Sequence, residues 1–201
     1  MTAIIVVSII AWAYILSVLS RSKLPFFTFL WGSVGLFLFM MITIQPLVTV
    51  PLSRAVAAST GIVGDITGMF YSYYQYSLIF IENGNESISL YIDYECSGII
   101  ELMSFSALLW FFPLYDPVEK LVINISGILW IFASNILRLT VICMLVYFLG
   151  NDIFFFAHAI FGRVIFYGLS IMLYFYVFTR SQILKQKVGK FRYGNIAAEN
   201  I

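Results

Sequence analysis

Four ionisable side chains, Glu101, Arg138, His158 and Arg163, sit inside long apolar runs of this sequence. An ionisable group within a membrane helix is costly and marks function by default. Cys96 joins them, because it opens an apolar stretch within Glu95-Cys-Ser-Gly98. A thiol is a strong nucleophile only as the thiolate, and its ordinary pKa of about 8.5 leaves little thiolate at neutral pH. A neighbouring imidazole can take that proton and return it to a leaving amine. A guanidinium in a poorly hydrated site can stabilise the negative charge that grows on a carbonyl oxygen under attack. Cys96, His158 and Arg138 are therefore sufficient for acyl transfer through a thioester. Asn135 lies three residues before Arg138 on the same helical face, where it can orient the guanidinium.

Each residue also has a plainer explanation. Free cysteine is common as a small buried apolar residue, and Cys143, within Val141-Ile-Cys-Met-Leu145, fits that description. His158 can serve as a hydrogen-bonding link between helices. Arg138 can form an ion pair with Glu101, a supporting role compatible with catalysis. Arg163 can extend its stem toward the interface, and no catalytic role is assigned to it. Cys96 fits packing less well, because it lies at a boundary between Glu95 and Ser97-Gly98, yet taken singly the plainer explanation is preferred for Cys and for His158. Converging at one depth, the three residues point to chemistry.

The composition says what must position them. Of 201 residues, 62% are hydrophobic and 10% are charged, against about 25% charged in a soluble domain. A bilayer is the solvent this implies. The net charge of +1 offers no basic surface for nucleic acid. Two cysteines make a disulfide framework improbable, and with one histidine they argue against a metal site. No cofactor is called for. Five apolar stretches read as spans: residues 2–20, 24–50, 97–112, 118–149 and 152–179. The first has no basic leader or small-residue cleavage site and reads as a retained helix. The expected fold is an all-α polytopic membrane protein of about five transmembrane helices (four to six). Residues 1–180 form one transmembrane domain, and residues 181–201 form a basic tail.

Arg180, Lys185, Lys187, Lys190 and Arg192 make that end cytoplasmic by the excess of basic residues on the inner side. Threading backward puts Arg21, Lys23 and Lys120 on the same side. Residues 51–95 then lie outside, with Arg54 as their only basic residue. Residues 54–73 read as an interfacial helix, with Tyr71, Tyr73, Tyr74 and Tyr76 as an aromatic belt. Two β-prone runs, residues 76–81 and 88–92, flank an Asn-Gly core and read as a hairpin. In this topology Cys96 is at the outer surface. Arg138 lies about 16 Å below the outer end of its helix, and His158 about 9 Å down the next. Three spans thus send the thiol, guanidinium and imidazole to the outer half of one bundle.

Glu95-Cys-Ser-Gly-Ile99, Asn135-Ile-Leu-Arg138, and His158 followed by Gly162 together resemble the exosortase/archaeosortase family. The overall size is similar to the short G-type exosortases of Gram-positive bacteria. The resemblance implies a membrane cysteine protease or transpeptidase, with Cys96 as nucleophile, Arg138 as oxyanion stabiliser and His158 as general acid/base. It implies a membrane-anchored protein substrate carrying a C-terminal sorting signal: a short motif, a transmembrane helix and a basic tail. Cleavage would occur at the outer face of a bacterial cell membrane. The competing reading is a non-enzymatic subunit or scaffold of an envelope polysaccharide or glycosyltransfer export system, in which the polar residues pin helices together. A transporter fits less well, since no repeat with broken helices is visible.

Overall fold

In hydrocarbon every backbone N–H and C=O must find its partner within the chain, so apolar runs of this length become helices. A computed structural model describes residues 2–83 and 86–183. It contains α1 (Thr2–Arg21), α2 (Pro25–Thr43), α3 (Gln45–Thr67), β1 (Phe70–Tyr73), β2 (Leu78–Asn83), β3 (Glu86–Tyr91), α4 (Ile99–Phe111) and α5 (Pro117–Leu149). The last helix, α6, covers Asn151–Ile183. Among the described residues, α2, α3, α5 and α6 are long and apolar enough to cross a membrane, while α4 and the Val6–Arg21 part of α1 are shorter apolar helices. The protein is an all-α polytopic membrane protein with a small sheet inserted. The basic residues expected between 184 and 192 lie outside the described residues.

The second span differs from the sequence reading. Residues 24–50 are not one helix, because α2 ends at Thr43 and Ile44 caps both α2 and α3. Pro46 occupies the first turn of α3, where a missing N–H costs nothing. The interfacial helix expected over residues 54–73 is also revised. α3 starts earlier and stops at Thr67, with Gly68 in the left-handed conformation at φ +68°, and the tyrosine-rich run after it pairs as a strand.

The sheet is antiparallel in the order β1-β2-β3. Phe70 pairs with Ile81, and Leu78 pairs with Tyr91. Asn83 pairs with Glu86, as the hairpin reading requires. Ile79, Ile81, Leu90 and Ile92 point inward and are fully or almost fully buried, while Tyr71, Tyr73 and Tyr91 face outward. Removing such an aliphatic side chain from water stabilises by about 1.5–3 kcal/mol. The inner face packs on α3, whose buried residues Ser53, Val56, Ala57, Thr60, Gly61 and Gly64 form one small-residue stripe. A Cβ at Gly64 would collide with Phe70. Ser72 Oγ donates to the Ala57 carbonyl at 2.8 Å.

α4 and α5 run antiparallel. Gly127 lets α5 approach the Phe105 ring of α4, and Ser106 Oγ bonds Asn124 Oδ1 at 2.8 Å. α5 starts with a capping box between Asp116 and Glu119 and with Pro117 in its first turn. Lys120 Nζ ties that turn to the Trp110 carbonyl at 2.8 Å. α6 returns along α5, with Trp130 Nε1 donating to the Leu169 carbonyl at 3.1 Å. With 33 residues, α5 is about 50 Å long, some 20 Å more than the hydrocarbon core. Its C-terminal residues Leu139, Ile142, Cys143 and Val146 join the core formed with α3 and the sheet. The sheet end of the bundle is thus the end that holds Cys96.

Candidate active site

Cys96 is delivered by a strand, a turn and a helix start. Ile92, directly after β3, is buried, and its N–H bonds the Ser77 carbonyl at 2.9 Å. Asp93 then closes a turn: its Oδ1 accepts the N–H groups of Glu95 and Cys96, both at 3.0 Å. The Ser97 N–H bonds the Asp93 carbonyl at 2.9 Å, and Ser97 Oγ donates to the Tyr94 carbonyl at 3.0 Å. Gly98 takes the left-handed conformation at φ +79° immediately before α4, which a side chain at that position would resist. The thiol therefore precedes the helix rather than lying within it, three residues before its first residue, Ile99.

α5 supplies two side chains to this turn. Asn135, fully buried, donates from Nδ2 to the Cys96 carbonyl at 2.7 Å. Its contact is with the cysteine backbone, whereas the sequence reading had it orienting the arginine. Arg138, one turn further on and 4% exposed, directs Nη2 to Cys96 Sγ at 3.6 Å. Its Cζ lies 5.7 Å from the Phe166 ring centroid, within cation–π range. His158, on α6, places Nε2 3.7 Å from the same sulfur. The imidazole stacks on Phe154 at 5.8 Å and 5°. His158 lies in a π-helical segment, Ala157–Phe161, a local widening that recurs at functional sites.

Three elements far apart in sequence thus bring a thiol, a guanidinium and an imidazole to one buried point. A cavity of about 280 Å³ opens beside it, lined by Glu101, Arg163 and Tyr167 as well as the three. Glu101 and Arg163 face the same space as the thiol, so both belong to its electrostatic surroundings. Among the described residues, His158 Nδ1, Arg138 Nε and Asn135 Oδ1 are buried without hydrogen-bond partners. No group of three His, Cys, Asp or Glu side chains among them could hold a metal ion.

Burial pushes the Cys96 thiol above its usual pKa, and the Asp93 carboxylate adds to that; the Arg138 charge pulls the other way. Burial thus favours the neutral thiol over the thiolate. The His158 ring nitrogen Nε2, 3.7 Å away, is placed to exchange a proton with it. Cys143, also a free thiol, is fully buried within the apolar core around Ile142 and Val146.

The family model described as transmembrane exosortase (Exosortase_EpsH) matches residues 1–176. The chain belongs to the transmembrane exosortase family. No curated protein and no solved structure matches it. Exosortases are in general cysteine transpeptidases connected with protein sorting. The match covers α1 to α5 and α6 as far as Tyr176, so the elements that carry Cys96, Arg138 and His158 all fall within it.

Sequence reasoning missed three contributors to this site: Asp93, Phe154 and Phe166. Asp93 had a readable signal, since an Asp two and three residues before the N–H groups it accepts is the pattern of an Asx turn. Phe154 stands four residues before His158, a spacing that brings side chains together on a helix. Phe166 had no such signal, because its partner Arg138 is on a different helix.

Proposed function

We propose that this exosortase is a cysteine transpeptidase or protease that cleaves C-terminal sorting signals of exported proteins through a thioester on Cys96. The observation that carries the reading is the approach of both Arg138 Nη2 and His158 Nε2 to within 4 Å of Cys96 Sγ, at 3.6 and 3.7 Å. His158 Nε2 takes the thiol proton as sulfur attacks the scissile carbonyl carbon. Negative charge then grows on the carbonyl oxygen, and the Arg138 guanidinium stabilises it. When the C–N bond breaks, His158 returns the proton to the departing amine. The acyl fragment remains on sulfur until water or an acceptor amine attacks the thioester and the thiol is regenerated.

The site belongs to the outer face of a bacterial cell membrane, with the C-terminus in the cytoplasm. Lys120 is tied to Trp110, at the end of α4 opposite Cys96. Arg180 follows the α6 segment whose Phe178 ring meets Phe112 at 4.9 Å, at that same end. Lys23 lies two residues before α2, whose Phe29 also meets Phe112, at 6.1 Å. Basic residues gathered at one end mark the cytoplasmic side, which leaves the thiol at the other. The test is processing of an epitope-tagged reporter with a C-terminal sorting signal in cells carrying single variants. Cys96→Ser should stop cleavage at wild-type protein levels, and Cys143→Ser should leave it intact. Wild-type cleavage by Cys96→Ser would favour the non-enzymatic subunit.

A further inference from the structure

α4 and α6 leave the site side by side and in the same direction. Phe105 of α4 meets Tyr174 of α6 at 5.9 Å, and further from the site, sixteen residues after Cys96 and twenty after His158, Phe112 meets Phe178 at 4.9 Å. Between them runs a groove of about 850 Å³. Its upper end is formed by Glu101 and Tyr167, which also line the cavity of the thiol. Its lower end is formed by Thr179 and Gln182. From Tyr167 to Gln182 the helix rises about 22 Å, most of the roughly 30 Å of hydrocarbon. The α6 residues facing the groove recur at intervals of three and four, so it is one continuous helical face.

Ser170 lies in the wall of this groove. It is 7% exposed, and its Oγ has no hydrogen-bond partner among the described residues. Lipid tails are as apolar as leucine, so apolar area alone does not draw one helix to another in a membrane. Close packing and interhelical hydrogen bonds do. A buried hydroxyl left without a partner therefore separates a helix from a lipid chain as the occupant, because only the helix can bond it.

We infer that the groove between α4 and α6 receives the transmembrane helix of the substrate, with a hydrogen-bonding side chain of that helix set against Ser170. The inference rests on the reading of Cys96 as the nucleophile. It supplies the geometry: a helix seated between Gln182 and Tyr167 carries its preceding polar segment past Glu101 to the sulfur. Cleavage then falls just outside the membrane-facing start of that helix.

Disulfide trapping in membranes tests this. The enzyme carries Cys96→Ser, Cys143→Ser and Ile171→Cys. The probe is an exported reporter joined by a polar linker to an apolar helix of about twenty residues and a basic tail, with single cysteines along the helix. Ile171 is 68% exposed in the groove wall, and Tyr176, 47% exposed, lies on the opposite side of α6. Ile171→Cys should cross-link to reporter positions that recur every three or four residues, and Tyr176→Cys in the same background should not. Equal cross-linking at both positions, or none at Ile171→Cys, overturns the groove. Cleavage of the same reporter by enzyme retaining Cys96 reads the thiol separately. Cleavage without cross-linking overturns the groove alone; cross-linking without cleavage supports the groove and counts against the nucleophile. Ser170→Leu, which fills the groove, should raise the KM for reporter cleavage at least tenfold while leaving Cys96 alkylation unchanged.

Discussion

Arg138→Gln removes one positive charge from beside the thiol and keeps much of the side chain's bulk. The guanidinium stands 3.6 Å from Sγ through Nη2. Two unit charges about 4 Å apart interact by about 4 kcal/mol at an effective dielectric of about 20. The guanidinium charge is spread over three nitrogens, and water enters the cavity when it is removed, so about half of that, about 2 kcal/mol, is the working figure. At about 1.4 kcal/mol per pKa unit, this is about 1.5 units. The sign follows from the charge: Arg138 favours the thiolate, so its loss raises the midpoint. Burial already holds the wild-type thiol above the ordinary range, so both midpoints are alkaline and the variant's is higher. Below both midpoints the thiolate fraction falls about thirtyfold, but a more basic thiolate is intrinsically more reactive, so alkylation slows only about sevenfold. The assay is the rate of iodoacetamide modification of Cys96 between pH 7 and 11 in the Cys143→Ser background, read by intact mass. Arg138→Lys should keep the midpoint nearer wild type, although it loses the planar fork and should process substrate poorly. An unchanged or lowered midpoint in Arg138→Gln would refute the electrostatic role.

His158→Ala should cut substrate processing about a hundred- to ten-thousand-fold, yet leave alkylation unchanged at a pH where the thiol is already ionised. Asn135→Leu leaves the Cys96 carbonyl buried and unpaired, which should cost about 1–3 kcal/mol and show as a lower melting temperature in detergent. Gly98→Ala meets only ordinary contacts with Asn135, so its cost is the left-handed backbone, about 1–2 kcal/mol, seen in the same melting assay. A single reporter cysteine replacing Asn85 should label from outside intact cells, and one replacing Lys187 should not; the reverse pattern would invert the proposed orientation.

The meeting of Cys96, Arg138 and His158 was more legible than the architecture, for a physical reason. Cys96, Arg138 and His158 stand out because charged and nucleophilic groups in apolar helices are expensive, so their positions carry information without any fold. The long runs behind α5 and α6 were equally readable, since hydropathy over some twenty residues leaves few alternatives. The break at Ile44 was harder. The residues on both sides are apolar, and Pro46 reads equally as the end of one helix or the first turn of another. β1 was hidden because Phe70-Tyr-Ser-Tyr73 has the composition of an interfacial belt; only pairing with β2 makes it a strand. The hairpin of β2 and β3 was visible through its Asn-Gly turn chemistry. The role of Asn135 was misread because helical spacing shows which residues share a face, and the partner it holds, the Cys96 carbonyl, belongs to another element.

The central claim is a covalent bond between substrate and Cys96 Sγ. Its most direct measurement is the intact mass of purified enzyme quenched in acid during turnover of a tagged sorting-signal reporter. The account predicts a species heavier by the mass of the reporter's N-terminal fragment, lost on treatment with hydroxylamine, mapped by digestion to Cys96 and absent in Cys96→Ser. Cleavage proceeding at the wild-type rate in Cys96→Ser, or an adduct mapping to Cys143, would contradict it.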